Sequence, residues 1–202
     1  MKIEKAVVGP LATNAYLICE EDECIVVDPG GDPGEILKLL RRRSVAAVVA
    51  THLHFDHVAA VNDVVEATGA PFYAHAEDWR VYRSLNSIAE EWSFSVPDLP
   101  EPKPLGGRLW SLEVWHTPGH TPGSVSLVGP GFVLTGDTLF KETVGRVDLP
   151  HGDWQALVKS VCKLYNLPED YVVYPGHGPH TTIGDELRSN LFVNYLVCQR
   201  IA

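Results

Sequence analysis

No apolar run in this sequence approaches the roughly eighteen residues of a membrane-spanning helix, so no transmembrane segment is expected. Positive charge is scarce. Sixteen Lys and Arg stand against 26 Asp and Glu, for a formal net charge of -10, which argues against a nucleic-acid or anionic-membrane surface. Arg41-Arg42-Arg43, a short basic run, falls where a helical pattern ends and is read as complementing the helix dipole. Cysteine is sparse as well. Cys19, Cys24, Cys162 and Cys198 contain no Cys-x-x-Cys pair and suggest no disulfide framework, so reduced thiols and a cytoplasmic location are expected. A Cys19–Cys24 bridge is reserved for a hyperthermophilic source. Met1 to Lys5 runs straight into a strand-like pattern and lacks a signal-peptide profile. Linkers and low-complexity stretches are also missing. With 202 residues, 45% of them hydrophobic and 21% charged, the chain is read as one soluble domain over residues 1–202.

What the sequence does have is concentrated in Thr51-His52-Leu53-His54-Phe55-Asp56-His57. His52, His54, Asp56 and His57 offer imidazole and carboxylate donors that suit zinc, iron or manganese. The β-branched and small apolar residues Val45 to Ala50 precede them, and a helical pattern through Val58, Val61, Val64 and Val65 follows. That order places the donors in a loop at the carboxyl end of a buried strand, where open α/β sheets carry their chemistry.

The rest of the chain alternates in the same way. Strands are expected at 3–9, 14–19, 24–28, 71–75, 109–115, 124–128, 132–134 and 171–174, most of them bounded by Gly or Pro. Helices are expected at 34–43, from the histidine loop to Thr68, at 76–83, from an Asp153 N-cap to Leu164, and from Thr182 through Leu191. Residues 85–104 show no periodicity and read as a lid, a pocket wall or a crossover pinned by its aromatics. Strands then helices, twice over, imply two sheet-and-helix halves of an α/β sandwich.

Further donors follow glycines at strand ends: His120 in Thr117-Pro118-Gly119-His120, Asp137 in Thr135-Gly136-Asp137, and His177 in Pro175-Gly176-His177. Seven donors exceed the needs of one tetrahedral ion, whereas two ions sharing a carboxylate use them all. Asp28, which closes an apolar strand, reads either as the acceptor for a ligating histidine or as a turn residue. His116 is expected to pack or hydrogen-bond near the site rather than ligate.

Taken together, Thr51–His57, Thr117–Ser124, Thr135–Phe140 and Pro175–Pro179 resemble the metallo-β-lactamase superfamily over nearly the whole chain. The resemblance implies a four-layer αβ/βα sandwich with two divalent ions, zinc first and iron or manganese as alternatives. It implies one ion on His52, His54 and His120, a second on Asp56, His57 and His177, and Asp137 bridging. Asp56 and Asp137 would be the catalytic carboxylates. Within the superfamily the chain is most similar to short prokaryotic hydroxyacylglutathione hydrolases of the glyoxalase II type. The C-terminal helical domain of the longer enzymes is not expected here. Nor does Lys141 to Arg146 match their glutathione-contacting segment, which leaves the thiol half of the substrate open. The implied activity is hydrolysis of a small-molecule thioester by a metal-activated hydroxide. Arg146 and Lys141 are candidates for a substrate carboxylate, and Arg146 could equally be clamped to Asp148. A mononuclear-iron persulfide dioxygenase using only His52, His120 and Asp137 is the main alternative, followed by a lactonase or β-lactamase-like hydrolase. Oligomeric state leaves no mark on the sequence.

Overall fold

A computed structural model describes residues 1–89 and 91–200 of the chain, which divides into two compact units, Met1–Pro104 and Leu105–Ala202. The strands of the first unit are β1 (Lys2–Val8), β2 (Thr13–Glu20), β3 (Glu23–Val27), β4 (Ser44–Val49), β5 (Phe72–Ala74) and β6 (Lys103–Pro104), with β2 and the ends of β3 and β4 buried as unbroken runs. These make one mixed sheet in the order β1-β2-β3-β4-β5-β6, antiparallel as far as β3 and parallel beyond it. Parallel neighbours need crossovers. Those from β3 to β4 and from β4 to β5 carry α1 (Pro33–Leu40) and the pair α2 (Phe55–Val58) and α3 (Val61–Thr68), and α4 (Ala76–Leu85) follows β5. Leu17, Val26 and Val48 of the sheet pack with Ile36, Leu40, Val61, Val64, Tyr82 and Leu85 of the helices to form this unit's core.

Helix α1 begins with Pro33 in its first turn, where the missing N–H costs nothing. It ends at Leu40, earlier than the sequence pattern suggests, because Arg41 adopts φ 57. The basic run therefore lies beyond the helix. Arg43 turns back and clamps Glu4 of β1 with its two terminal guanidinium nitrogens, at 3.0 and 3.2 Å. That contact, with a smaller contribution from Lys2, holds the Glu4 carboxyl down at about 2. Because the folded value lies below the ordinary 4.5, the stabilisation is complete above that pH and is lost as pH falls toward 2. Arg43→Ala should lower the melting temperature by about 1–3 °C near neutral pH. The gap between the two proteins should narrow near the folded pKa of about 2, to what the Arg43 bonds to the Leu39 and Leu40 carbonyls contribute. A gap as large in acid as at neutral pH would count against the pair.

The second unit holds β7 (Gly107–Leu109), β8 (Leu112–His116), β9 (Val125–Gly129), β10 (Phe132–Gly136), β11 (Leu139–Phe140), β12 (Thr143–Val144), α5 (Trp154–Leu164), β13 (Val172–Pro175), β14 (Thr181–Thr182), α6 (Ile183–Ser189) and α7 (Tyr195–Cys198). Its main sheet runs β14-β13-β10-β9-β8-β7, with β10 and β13 parallel, and β11 and β12 form a separate hairpin. Val128, Val133 and Val173 pack with Leu157, Val161 and Leu164 of α5 and with Ile183 of α6. Asp153 caps α5 as expected, its Oδ1 accepting from the N–H groups of Gln155 and Ala156. The strand expected at 109–115 is instead the hairpin β7–β8, broken where Trp110 takes φ 59. The helix expected from Thr182 through Leu191 is α6, which stops at Ser189, so Leu191 lies outside it, and the short α7 follows.

Two expectations about the cysteines are overturned. Cys19 and Cys24 are directly opposite in the β2–β3 register and form a disulfide. Cys162 of α5 and Cys198 of α7 form a second, 36 residues apart in sequence. None of the four cysteines is free. A cytoplasmic location inferred from reduced thiols loses that support. Among the described residues no helix is long and apolar enough to cross a membrane.

Candidate metal centre

Each unit carries its metal-donor side chains where a parallel strand pair ends. In the first unit Val27 of β3 pairs with Val49 of β4, so Asp28 and the Thr51–His54 stretch leave the sheet side by side. The Asp28 N–H donates to the Val49 carbonyl at 2.8 Å, and its carboxylate accepts from the Thr51 N–H and hydroxyl, both at 2.7 Å. These bonds hold Asp28 at φ 51, a conformation that aspartate tolerates better than most residues. Its Oδ2 also lies 3.1 Å from His57 Nδ1, with both side chains essentially inaccessible to solvent. Since the Thr51 hydroxyl proton goes to Asp28, the His52 Nδ1 only 3.2 Å away is the donor to that hydroxyl. Asp28 therefore fixes two imidazoles so that each presents Nε2.

Donor atoms of His52 and His54, of His52 and His57, and of Asp56 and His57 lie within 4.8 Å of one another. All three histidines are buried. The sequence placed Asp56 and His57 in a loop, but the structure puts both in the one-turn helix α2, a piece separate from α3. Asp56 Oδ2 accepts from the Thr13 hydroxyl at 3.1 Å and stands 3.6 Å from His57 Nε2. Gly30 packs against the Asp56 carbonyl so closely that a Cβ would lie 1.9 Å from that oxygen, which no other residue could accept.

The backbone of the histidine loop is held from α4 and its C-cap by two buried side chains that no sequence pattern singles out. Asp78 accepts from the Leu53 N–H at 2.9 Å. Asn86 accepts from the Phe55 N–H at 2.7 Å and donates to the Leu53 carbonyl at 2.8 Å. Their partners are main-chain atoms some thirty residues away, and no spacing or periodicity betrays such contacts. The irregular stretch after α4 stays on this unit. Phe94 stacks on Phe55 at 4.8 Å, and the Tyr82 hydroxyl donates to the Pro97 carbonyl. One of its aromatics, Phe94, holds it against this unit, while Trp92 is exposed.

In the second unit β10 and β13 end together, Gly136 opposite Pro175, and the Gly176 N–H donates to the Gly136 carbonyl. Asp137 and His177 thus leave the sheet as neighbours, and His120 lies on the loop joining β8 to β9 at the same end. Asp137 Oδ2 is 3.6 Å from both His120 Nε2 and His177 Nε2. His120 Nδ1 donates to the Arg146 carbonyl at 2.7 Å, which leaves Nε2 as its lone-pair nitrogen. Gly145 is forced by close approach, since a Cβ there would lie 1.8 Å from the Asp137 carbonyl oxygen. His116 is exposed and meets the Pro122 carbonyl at 2.8 Å, steadying the His120 loop. The Arg146 side chain makes a bidentate pair with Asp148, 2.7 Å at each oxygen, and this holds the Asp148 carboxyl down at about 2. Lys141 is exposed at the turn of the β11–β12 hairpin.

The donor set fits divalent cations. Two donors about 2.0–2.2 Å from a common tetrahedral ion are roughly 3.3–3.6 Å apart. The separations of 3.6 Å recur at three donor pairs and are too long for hydrogen bonds. Imidazole and carboxylate without thiolate suits zinc, iron or manganese.

A sequence profile of the metallo-beta-lactamase superfamily matches residues 8–177. The hydroxyacylglutathione hydrolase GloC of Haemophilus influenzae is 32% identical, over 96% of this chain and 99% of GloC. Among solved structures, TTHA1623 in a di-iron-bound form is 41% identical with a TM-score of 0.88, over 94% of this chain and all of that one. The B3 metallo-beta-lactamase BLEG-1 is 34% identical with a TM-score of 0.87, over 95% of this chain and 99% of that one.

Proposed function

We propose that this chain, which belongs to the metallo-β-lactamase superfamily and is a metal-dependent hydrolase, cleaves thioesters with the help of two divalent cations. In this reading His52, His54 and His120 would hold one cation, Asp56, His57 and His177 would hold the other, and Asp137 would be the carboxylate serving both. The observation that carries it is the donor pair Asp56 and His57, 3.6 Å apart, with His57 oriented by Asp28. A mononuclear-iron persulfide dioxygenase would use His52, His120 and Asp137 alone and give that pair no role. GloC supports a thioester substrate, and the di-iron form of TTHA1623 supports two ions, with iron as well as zinc among the candidates.

Bound cations of this kind lower the pKa of a water toward neutrality and polarise a carbonyl oxygen. The chain's own residues do the rest. Asp28, through His57 directly and through Thr51 to His52, keeps imidazoles in the tautomer that offers Nε2. The Arg146 carbonyl does the same for His120. Asp56, steadied by the Thr13 hydroxyl, orients the attacking water. A thiolate leaves without a strong general acid, because thiol pKa values near 8.5 lie far below those of alcohols, so no acid residue has to be found. The bidentate pair with Asp148 favours a structural role for Arg146 and leaves Lys141 as the candidate for a charged substrate group.

A second reading, β-lactam hydrolysis, is favoured by the likeness to BLEG-1. Metal analysis of the purified protein, together with a panel of small thioesters, a chromogenic β-lactam and a persulfide assayed for oxygen uptake, separates the readings. Thioester turnover is expected to exceed β-lactam turnover by about a hundredfold or more, to stop on chelation and to return with added metal. A β-lactam preference, or persulfide-dependent oxygen uptake with one iron per chain, would replace the thioester assignment.

A further inference from the structure

The two disulfides stand in different surroundings. Cys19 and Cys24 are buried in the first unit's core. Cys162 and Cys198 are only partly buried, and both line a cavity of about 440 Å³ together with Lys159, Lys163, Tyr165 and Tyr195. A disulfide that meets water across a cavity is open to attack by a thiolate, whereas a buried one is shielded. Arg43 lies 3.1 Å from the Cys19 sulfur, so positive charge alone does not separate the two bridges, and access does.

Charge in the cavity favours exchange there. Lys159 stands three residues before Cys162, hence one turn back on the same face of α5, and Lys163 follows Cys162 directly. Lys163 also donates to the His116 carbonyl at 3.1 Å. Ammonium groups in such positions lower the cost of a thiolate on Cys162 and draw in an anionic thiol.

The bridge also has something to release. It ties α7 to α5, and no residue of α7 is fully buried. The segment before α7 is held by other bonds. Asn190 donates to the Thr143 carbonyl and to Glu186, and accepts from the N–H groups of Phe192 and Val193. Glu186 accepts from the Glu142 N–H, and the Tyr165 hydroxyl donates to the Val193 carbonyl. Opening the bridge therefore frees residues 194–200 and leaves those before them in place.

We infer that Cys162–Cys198 is an exchange site for a small anionic thiol, and that its reduction releases α7. The thiolate attacks Cys198 Sγ and breaks the bond to Cys162, which leaves with the electron pair as the thiolate beside Lys159. A second thiolate attacks the small thiol's own sulfur in the mixed disulfide, forming the oxidised dimer of that thiol and expelling Cys198 as a thiolate. The two small thiols are oxidised, the bridge is reduced, and their protons pass to the two cysteines. No metal donor takes part, so the inference is independent of the thioester reading.

The test exposes the full chain, purified without reductant, to glutathione or, at equal thiolate concentration, to the cationic thiol cysteamine. Alkylation and peptide mass spectrometry follow each cysteine in time. Cys162 and Cys198 should open at least about tenfold faster than Cys19 and Cys24, through a glutathione adduct on Cys198. Glutathione should outpace cysteamine severalfold, and Lys159→Gln should narrow that difference. The selectively reduced protein should melt about 5–10 °C lower, with faster amide hydrogen exchange confined to residues 194–200. If Lys159→Gln does not fold, the rates of the two bridges in the wild type still decide. Free thiols at Cys162 and Cys198 in air-purified protein, or opening of both bridges at one rate, would overturn the exchange site. Cysteamine matching glutathione would overturn its anionic ligand. Unchanged hydrogen exchange after reduction would overturn the release of α7.

Discussion

Replacement of Asp137 by alanine is expected to abolish turnover and to remove most of the metal-dependent stability. Asp137 follows β10 directly, is nearly inaccessible, and lies 3.6 Å from both His120 and His177. In the proposed scheme it is the one carboxylate shared by both cations, so its loss weakens both positions together. Turnover should fall by on the order of a thousandfold or more, and metal per chain should drop below that of the wild type. The stability effect has a particular signature. A ligand at about a hundred times its dissociation constant stabilises the folded state by roughly 2.7 kcal/mol, or about 5–10 °C in melting temperature for a chain of this size. With metal present the variant should melt lower by that amount. After chelation the two proteins should converge, because a buried carboxylate without a cation costs desolvation and contributes little. Wild-type turnover and metal content in Asp137→Ala would show that the bridging role is wrong. An equal destabilisation with and without chelator would show that the residue is merely structural.

The parts of this molecule that were legible in its sequence are those written in local chemistry. Buried parallel strands read as unbroken apolar runs, and Val45–Ala50 and Phe132–Leu134 could be recognised on that ground. The donors that follow them stand out because histidine and aspartate beside glycine at a strand end are conspicuous. Asp28 was conspicuous as an acidic residue closing an apolar strand, although its bonds to Thr51 become visible only with the β3–β4 register. Features decided by a single backbone angle were misread. One positive φ at Trp110 turned an expected strand into a hairpin, and another at Arg41 cut a helix short and freed Arg43 to reach Glu4. Features decided by distant partners were invisible. Cys19 and Cys24 become a pair only when β2 and β3 align, and Cys162 meets Cys198 only when α7 returns to α5. The clamps of Asp78, Asn86, Glu186 and Asn190 are bonds from one side chain to remote main chain. Polar residues in such places look like ordinary helix residues until the fold is known.

Replacement of Asp56 by alanine is the change that best separates the two leading chemistries. In the dinuclear hydrolase Asp56 is a donor to the second cation, whereas in the mononuclear oxygenase it has no part in the metal shell. The structure sets Asp56 in the single turn of α2, with one oxygen taken by Thr13 and 3.6 Å from His57 Nε2. Its side chain lies outside the apolar core of the first unit, whose members are aliphatic and aromatic residues of the sheet and helices. The fold should therefore survive, and His52 and His54, positioned through Thr51 and through Asp78 and Asn86, should keep their places. Metal content should fall from about two per chain toward one. Thioester turnover should fall by roughly two to four orders of magnitude, as expected when a nucleophile loses both an activating cation and the carboxylate that orients it. Asp56→Asn is the informative companion. It preserves size and the contact with Thr13 but offers a weaker donor, so it should retain part of the second metal and part of the activity. Wild type and both variants are to be compared side by side for metal per chain and for thioester turnover. One iron per chain in all three proteins, with persulfide-dependent oxygen uptake undiminished, would remove the hydrolase assignment and put the oxygenase in its place.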